Sequence, residues 1–307
     1  MEKIDIYTNA ISLETELKKI RTSPDISQKN KEQIEKYLNN CLGNGISERR
    51  AVKVGWILRG LAKMLEKDFD IATKEDILSL NTKLCGLKKS PETIKDYKMG
   101  IKKFYKWLKG NNEEFPLEVR WLKARIKMGD KKLVGNIIAL EDVKQLILAC
   151  DNGRDKAFIA LLYESGARIG EMLNIRIGDF QFFDKYAKLC LRGKTGERRI
   201  MIVSSAPFVC NYLNAHPKRD NPESLFWLSQ SPYHKWENIN YIGAAKLLKR
   251  VFRKAGIKKR ANPHSFRHSR ATELASHLTE VQMCLYFGWV IGSGMTSVYV
   301  HANGRET

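Results

Sequence analysis

The feature that most constrains this chain is a helical apolar rhythm that fills residues 1–110 and then stops. Leu13, Leu17 and Ile20 share a helical spacing, as do Ile34, Tyr37, Leu38 and Cys41 ahead of Gly43 and Gly45. Val54, Ile57, Leu58, Leu61, Met64 and Leu65 make a third, longer stripe. Thr73 before Glu75 and Asp76 reads as the start of a fourth helix, with Ile77 and Leu80 on its apolar face. Ser90-Pro91-Glu92 starts a fifth, which runs through Tyr97, Ile101, Phe104, Tyr105 and Leu108 to Gly110. Each stripe must be buried, and successive amphipathic helices bury theirs against one another. This part of the chain shows no catalytic constellation.

The rhythm breaks between Asn111 and Gly135. That stretch holds Asn111, Asn112 and Pro116, then Arg120, Lys123, Arg125, Lys127, Lys131 and Lys132 against a single later acid, Asp130. It reads as a basic connector, either merely solvated or laid along a phosphate backbone. A length of 307 residues is comfortable for two domains. The expected division is a helical domain over 1–112, a linker over 113–137 and a second domain over 138–307. In the second domain the pattern predicts helices over 140–150, 156–164 (closed by Gly166) and 168–176. Strands are expected over 186–191 and 198–203, with Lys194-Thr195-Gly196 as the turn, and a third over 225–228. From Asn240 the chain is helical again, and Asn262-Pro263 introduces a helix carrying His264. The expected fold class is mainly α, with a small β-hairpin or three-stranded sheet in the second domain.

Fifty-four Lys and Arg against 34 Asp and Glu give a net charge of +20, spread over both parts, which suggests a polyanionic partner such as nucleic acid. The six cysteines are dispersed without a C-x-x-C pair, against a zinc ribbon or a disulfide framework. No segment reads as a signal peptide or membrane span, so a cytoplasmic, DNA-associated protein is expected. No G-x-x-x-x-G-K-[ST] loop supports an ATP-driven mechanism.

Five segments carry chemistry. In Gly166-Ala167-Arg168-Ile169-Gly170-Glu171, an arginine opens a helix, the wrong electrostatic end unless an anion sits there, and Glu171 can hold it from one turn on. A surface Arg–Glu pair accounts for the same residues. Lys194 stands at a hairpin tip, where it is either solvated or free to protonate a leaving oxygen. His264-Ser265-Phe266-Arg267-His268 puts two imidazoles and a guanidinium on one helix face. The His264–His268 spacing suits a metal, but the adjacent arginine repels a cation, and no metal or cofactor is expected. Trp289 follows Phe287-Gly288, and Tyr299 follows the glycines at 292 and 294, which place it on a short, loosely tethered terminal element. A packing role accounts equally for a lone tyrosine there.

Together, over about residues 138–301, these segments resemble the catalytic domain of the tyrosine recombinases, the phage-integrase family. The first arginine box looks like Arg168 with Glu171 and the hairpin lysine like Lys194. The histidine–arginine box looks like His264, Arg267 and His268, and the nucleophile looks like Tyr299. Trp289 stands where the family more often has His. The helical first part is similar to the family's core-binding domain in helicity, length and position. The resemblance implies metal- and ATP-free cleavage of double-stranded DNA at a specific site through a 3′-phosphotyrosine. In it Arg168 and Arg267 clamp the phosphate, Lys194 protonates the 5′-oxygen, His264 bonds the phosphate and His268 does acid–base or supporting work. It also implies a homotetramer on paired sites, with a monomer as the free form. Eight residues follow Tyr299, so control by a longer tail docked on a neighbour is not carried over. A type IB topoisomerase shares this chemistry, and a non-catalytic DNA-binding relative would share the fold.

Overall fold

Each apolar stripe of the first part becomes a helix, and all but the third, which follows Ser47, start at a side-chain oxygen. In a computed structural model, which describes residues 12–110, 114–125, 137–193, 196–232 and 235–300, Ser12, Ser27, Thr73 and Ser90 accept the N–H groups of Thr15, Asn30, Asp76 and Thr93. These bonds satisfy donors that a helix start leaves open. The helices are α1 (Leu13–Arg21), α2 (Gln28–Gly43), α3 (Glu48–Leu65), α4 (Lys74–Gly86) and α5 (Pro91–Leu108). Their faces close on a core that includes Ile20, Ile34, Leu38, Leu58, Leu61, Phe69, Phe104 and Tyr105. The approach of α3 to α5 needs Gly100, where a Cβ would lie 2.6 Å from Ile57 Cγ2.

The same core reaches into the expected connector. Leu117–Arg120 forms α6, and Val119 and Leu122 are buried with the first-part helices. Val119 and Leu122 are therefore packed rather than solvated, while Leu117 and Arg120 stay exposed, a difference that a four-residue helix is too short to announce by periodicity. Arg120 is tied to Glu114 and to the Phe115 carbonyl, whereas Lys123 and Arg125 are exposed. Lys127, Lys131 and Lys132 lie outside the described residues. Residues 12–125 belong to one compact unit and 137–300 to another.

The second unit is built around α8 (Gly153–Ser165), whose Phe158, Ile159, Leu161 and Leu162 are fully buried. Asn152 caps it, so it begins ahead of the expected 156. Packed on it are α7 (Leu140–Leu148), α10 (Ala206–Asn214) and α12 (Pro263–Leu274), and α11 (Tyr241–Lys254) packs on α7. The expected helix over 168–176 is shorter, α9 (Ile169–Leu173). The sheet is antiparallel in the order β1 (Phe180–Phe182), β2 (Ala187–Gly193), β3 (Gly196–Ile202), with Leu189 opposite both Phe180 and Ile200. Ala187, Leu189 and Leu191 face the core on alternate positions of β2. The third strand is thus β1, and the expectation of a strand at 225–228 is corrected: Leu225 and Leu228 make only isolated bridges, to Arg176 and Asn238. The apolar run there reports burial of Phe226 and Trp227, not pairing. A small second core joins Ala271 of α12 and Ala275 just past its end, Met283, Cys284 and Phe287 of α13 (Glu280–Phe287), Trp289, and Tyr299 of α14 (Ser297–Val300). Among the described residues no helix is long and apolar enough to cross a membrane.

Candidate active site

The site forms where two helices of the second unit end. α8 stops at Gly166, whose φ of 52° is the left-handed turn that glycine favours, and α13 stops at Gly288, at 59°. A Cβ on Gly166 would lie 2.6 Å from Phe287 Cε1, so the two turns touch. The carbonyls left over at these ends carry the negative pole of their helices. Arg267, from α12, gives one N–H to the Gly166 oxygen (2.8 Å) and another to the Phe287 oxygen (2.7 Å). Arg168 gives one to the Gly288 oxygen (3.2 Å). Two arginines far apart in sequence thus converge on adjoining turns.

Their charge is handled differently. Arg267 is 6% exposed, bonded to neutral carbonyls, and lies against the Phe287 and Trp289 rings at 5.2 and 5.5 Å. Burial, then the Arg168 charge, lowers its pKa to about 10, so it stays protonated at neutral pH. Arg168 is the residue before α9, and its N–H and Nη1 donate to the two Glu171 oxygens at 2.9 and 2.8 Å. Glu171, 3% exposed, also accepts from Arg198 Nη2 at 2.8 Å. Burial alone would raise its pKa, but the Arg198 hydrogen bond and charge, with the Arg168 bonds, hold it at about 2. Arg198 further donates to the Tyr286 carbonyl of α13 at 2.8 Å. Gly193, at the end of β2, leaves room for this carboxylate: a Cβ there would lie 2.5 Å from Glu171 Oε1. Nothing in the local sequence marks Arg198 for a role. It stands in a run with Arg192 and Arg199, and only the sheet register singles it out.

The tyrosine is held, not loose. Tyr299 is 2% exposed, its ring stacked on Trp289 with centroids 5.4 Å apart and planes 8° from parallel. Trp289 stacks in turn on Phe287. The expectation of a loosely tethered terminal element is corrected, because these rings and the Thr296–Glu280 hydrogen bond (2.6 Å) fasten the segment. The Tyr299 hydroxyl meets His268 Nδ1 at 2.6 Å. Burial raises the phenol pKa, and Arg267 opposes that shift. His264 stands exposed in the first turn of α12, its backbone N–H bonded to Asn262. Desolvation, then Arg267, Arg168 and Arg260, lowers its pKa. The fold therefore gathers Arg168, Glu171, Arg267, His268, Trp289 and Tyr299, with His264 on the same helix. Lys194 lies outside the described residues, between the paired Gly193 and Gly196.

Such a site offers an anion two guanidiniums beside a tyrosine hydroxyl. The comparisons agree with the architecture. XerA, a tyrosine recombinase of Pyrococcus furiosus, is 28% identical over 248 residues, covering 80% of this chain and 82% of that one. A tyrosine recombinase of Pseudothermotoga lettingae is 28% identical over 211 residues, covering 67% of this chain and 69% of that one. The XerH site-specific recombinase, solved on a palindromic difH substrate after cleavage, has the same fold, with a TM-score of 0.68 at 15% identity over 98% of this chain and 96% of that one. A match to the phage integrase family spans residues 136–306. With more than half of its length matched and these side chains gathered at two adjoining helix ends, the chain belongs to the phage integrase family and is a tyrosine recombinase.

Proposed function

We propose that Tyr299 is the nucleophile with which this site-specific recombinase cleaves and rejoins DNA, and that Arg168 and Arg267 clamp the scissile phosphate. The observation that carries the reading is the bonding of Arg267 and, in part, Arg168 to neutral carbonyls. Such ligands fix a guanidinium without cancelling its charge, leaving it complementary to a phosphate. Attack by Tyr299 on phosphorus gives a 3′-phosphotyrosine and a free 5′-hydroxyl. The arginines stabilise the charge of the pentacoordinate transition state, His264 bonds the phosphate, and Lys194 protonates the departing 5′-oxygen. Glu171 and His268 support Arg168 and Tyr299, and Trp289 packs the nucleophile. The covalent bond retains the phosphodiester energy, so religation calls on neither ATP nor metal.

In this reading residues 1–112 are the core-binding domain, 113–137 a basic linker and 138–307 the catalytic domain. The partner is double-stranded DNA carrying a specific site, bound along the linker by Lys123 and Arg125 among other basic residues. Paired sites are held by a homotetramer, the chain is monomeric when free, and the enzyme works in the cytoplasm on the nucleoid. Family membership favours recombination over topoisomerase-like relaxation.

The test starts from DNA trapped covalently on the wild-type chain and sequenced. A nicked duplex carrying the recovered site should form an adduct with wild type and none with Tyr299→Phe, which should still bind. An adduct in Tyr299→Phe removes the assignment of the nucleophile. Plasmid relaxation without exchange between two sites removes the recombinase reading.

A further inference from the structure

We propose that Arg198 is a positioning residue for the phosphate clamp, a strut that joins the two supports of the Arg168 guanidinium. The inference rests on the reading of Arg168 as a phosphate ligand and adds how its aim is kept. Those supports come from separate elements. Glu171 of α9 accepts from Nη1 at 2.8 Å, and the Gly288 carbonyl, just past the end of α13, accepts from Nη2 at 3.2 Å. Arg198, on β3, reaches both sides. Its Nη2 donates to Glu171 Oε2 at 2.8 Å, and its Nε donates to the Tyr286 carbonyl, two residues before Gly288, also at 2.8 Å. The contacts close a ring that runs Arg168, Glu171, Arg198, Tyr286, Gly288 and back to Arg168.

The strand explains why this arginine is chosen. Side chains alternate along β3, so Arg198 shares a face with the buried Ile200 and Ile202, while Arg199 faces solvent. Opposite it on β2 stands Leu191, which is fully buried. Arg192 pairs instead with Asp179, and Arg199 with Glu197. An arginine in a row of buried aliphatics costs desolvation that only well-placed partners offset. An apolar side chain would fill the same place without that cost, so stability alone does not account for the residue. What the guanidinium adds is direction: its planar fork sends Nε and Nη2 to two acceptors at a fixed separation. The carboxyl of Glu171 is held at about 2, so it is ionised across the working range and the ring does not titrate there.

Without Arg198, Glu171 keeps its bonds to Arg168 but loses its tie to α13. Carboxylate and carbonyl are then free to part, and the Arg168 guanidinium follows one or the other. Its donors stabilise the transition state only where they meet the charge that develops on the non-bridging oxygens. A loss of aim of about 1 Å costs about 10²-fold in rate. The Arg198 side chain is itself 9% exposed, with both arms of its fork engaged, so it acts through Arg168 and not on the phosphate.

The experiment compares single-turnover adduct formation by the full chain on nicked duplexes carrying the site recovered from covalently trapped DNA. One has the natural scissile phosphate. In a second, a methyl replaces one non-bridging oxygen and removes the charge that the clamp meets. In a third, sulfur replaces the 5′-bridging oxygen and leaves without an acid. Arg198→Met should cleave the natural phosphate about 10²-fold more slowly than wild type. It should lose most of that deficit on at least one methylphosphonate diastereomer and keep it with the sulfur leaving group. Ratios between duplexes on one preparation cancel any difference in folded fraction. If Arg198→Met does not fold, Arg198→Lys gives the same pattern at smaller size, since one ammonium cannot span both acceptors as the fork does. An equal deficit on every duplex makes Arg198 merely structural and overturns the proposal. So does a deficit relieved by the sulfur, which places the effect at the leaving group. A natural-phosphate rate within roughly threefold of wild type, far short of a misaimed clamp, overturns it as well. Failure of the clamp reading shows separately, as an Arg168→Ala deficit that the methylphosphonate does not relieve.

Discussion

Arg198→Met removes a residue that donates to the Tyr286 carbonyl in the last turn of α13 and shares Glu171 with the phosphate clamp. In the wild-type chain the Glu171 carboxyl is held at about 2 instead of its ordinary 4.5. At about 1.4 kcal/mol per pH unit, that depression is worth about 3 kcal/mol of folding free energy, divided among Arg198, Arg168 and the Arg168 N–H. Arg198 is the first of the favourable causes, so its loss should remove about 2 kcal/mol, below the 3–5 of a pair left wholly uncompensated because Arg168 stays. The sign follows from a depressed carboxylate: its contribution is complete above the ordinary pKa and is lost as pH falls toward about 2. In the variant the buried carboxyl titrates higher. The deficit against wild type should therefore be full at pH 7 and shrink as pH drops below the variant's raised value. Urea unfolding of both chains, at neutral pH and at about pH 3.5, reads this out as a difference in unfolding free energy. In Glu171→Gln the same Arg198 substitution should cost clearly less, since the two side chains are coupled. A deficit below about 0.5 kcal/mol, the size of an ordinary surface change, or one unaltered between the two pH values, would refute the account.

Two further outcomes follow from packing and charge. Trp289→Ala strips the ring on which Tyr299 stacks and should cost roughly 3 kcal/mol locally. Nitration of Tyr299 by tetranitromethane, followed by mass spectrometry, should then speed up, whereas Trp289→Phe should hold it near wild type. Lys123→Ala with Arg125→Ala removes two exposed cations and should flatten the slope of log affinity for the recovered duplex against log salt by about 1.8, about 0.9 per phosphate contact. An unchanged slope would place both side chains away from the DNA.

The parts of this molecule that were legible in its sequence are those set by contacts a few residues long. Helices α1 to α5 announce themselves by stripes, and α4 and α5 also by Thr73 and Ser90 at their starts. Arg168 with Glu171 is a contact across three positions, and His264, Arg267 and His268 share a face by helical geometry alone. What stayed hidden depends on distant partners. Tyr299 looked tethered by glycines, and its burial comes from Trp289 and from His268, 31 residues away. Arg198 is one of several arginines around the hairpin, and only pairing in the sheet aims it at Glu171, 27 residues earlier. The run at 225–228 shows why apolar content misleads: Phe226 and Trp227 are wanted by the core, and the backbone there pairs only at single bridges. The helix inside the expected linker was hidden for the opposite reason, since Val119 and Leu122 are too few to make a stripe.

One short turn, Phe287-Gly288-Trp289, links the clamp to the nucleophile. Its first two residues present carbonyls to Arg267 and Arg168, and its third presents a ring to Tyr299. Two guanidiniums in one place repel, and after burial the Arg168 charge is what depresses the Arg267 pKa. What offsets the repulsion is the negative pole of two helix ends, which supplies oriented dipoles without a countercharge. Glu171 supplies the one carboxylate, and its division between Arg168 and Arg198 keeps it from becoming a private partner that a phosphate would have to displace. Among the described residues the resting site therefore holds three guanidiniums to one carboxylate, with donors already oriented for a phosphate. Because the tyrosine packs on the same turn, a shift of that turn changes clamp and nucleophile together, and neither is assembled without the other.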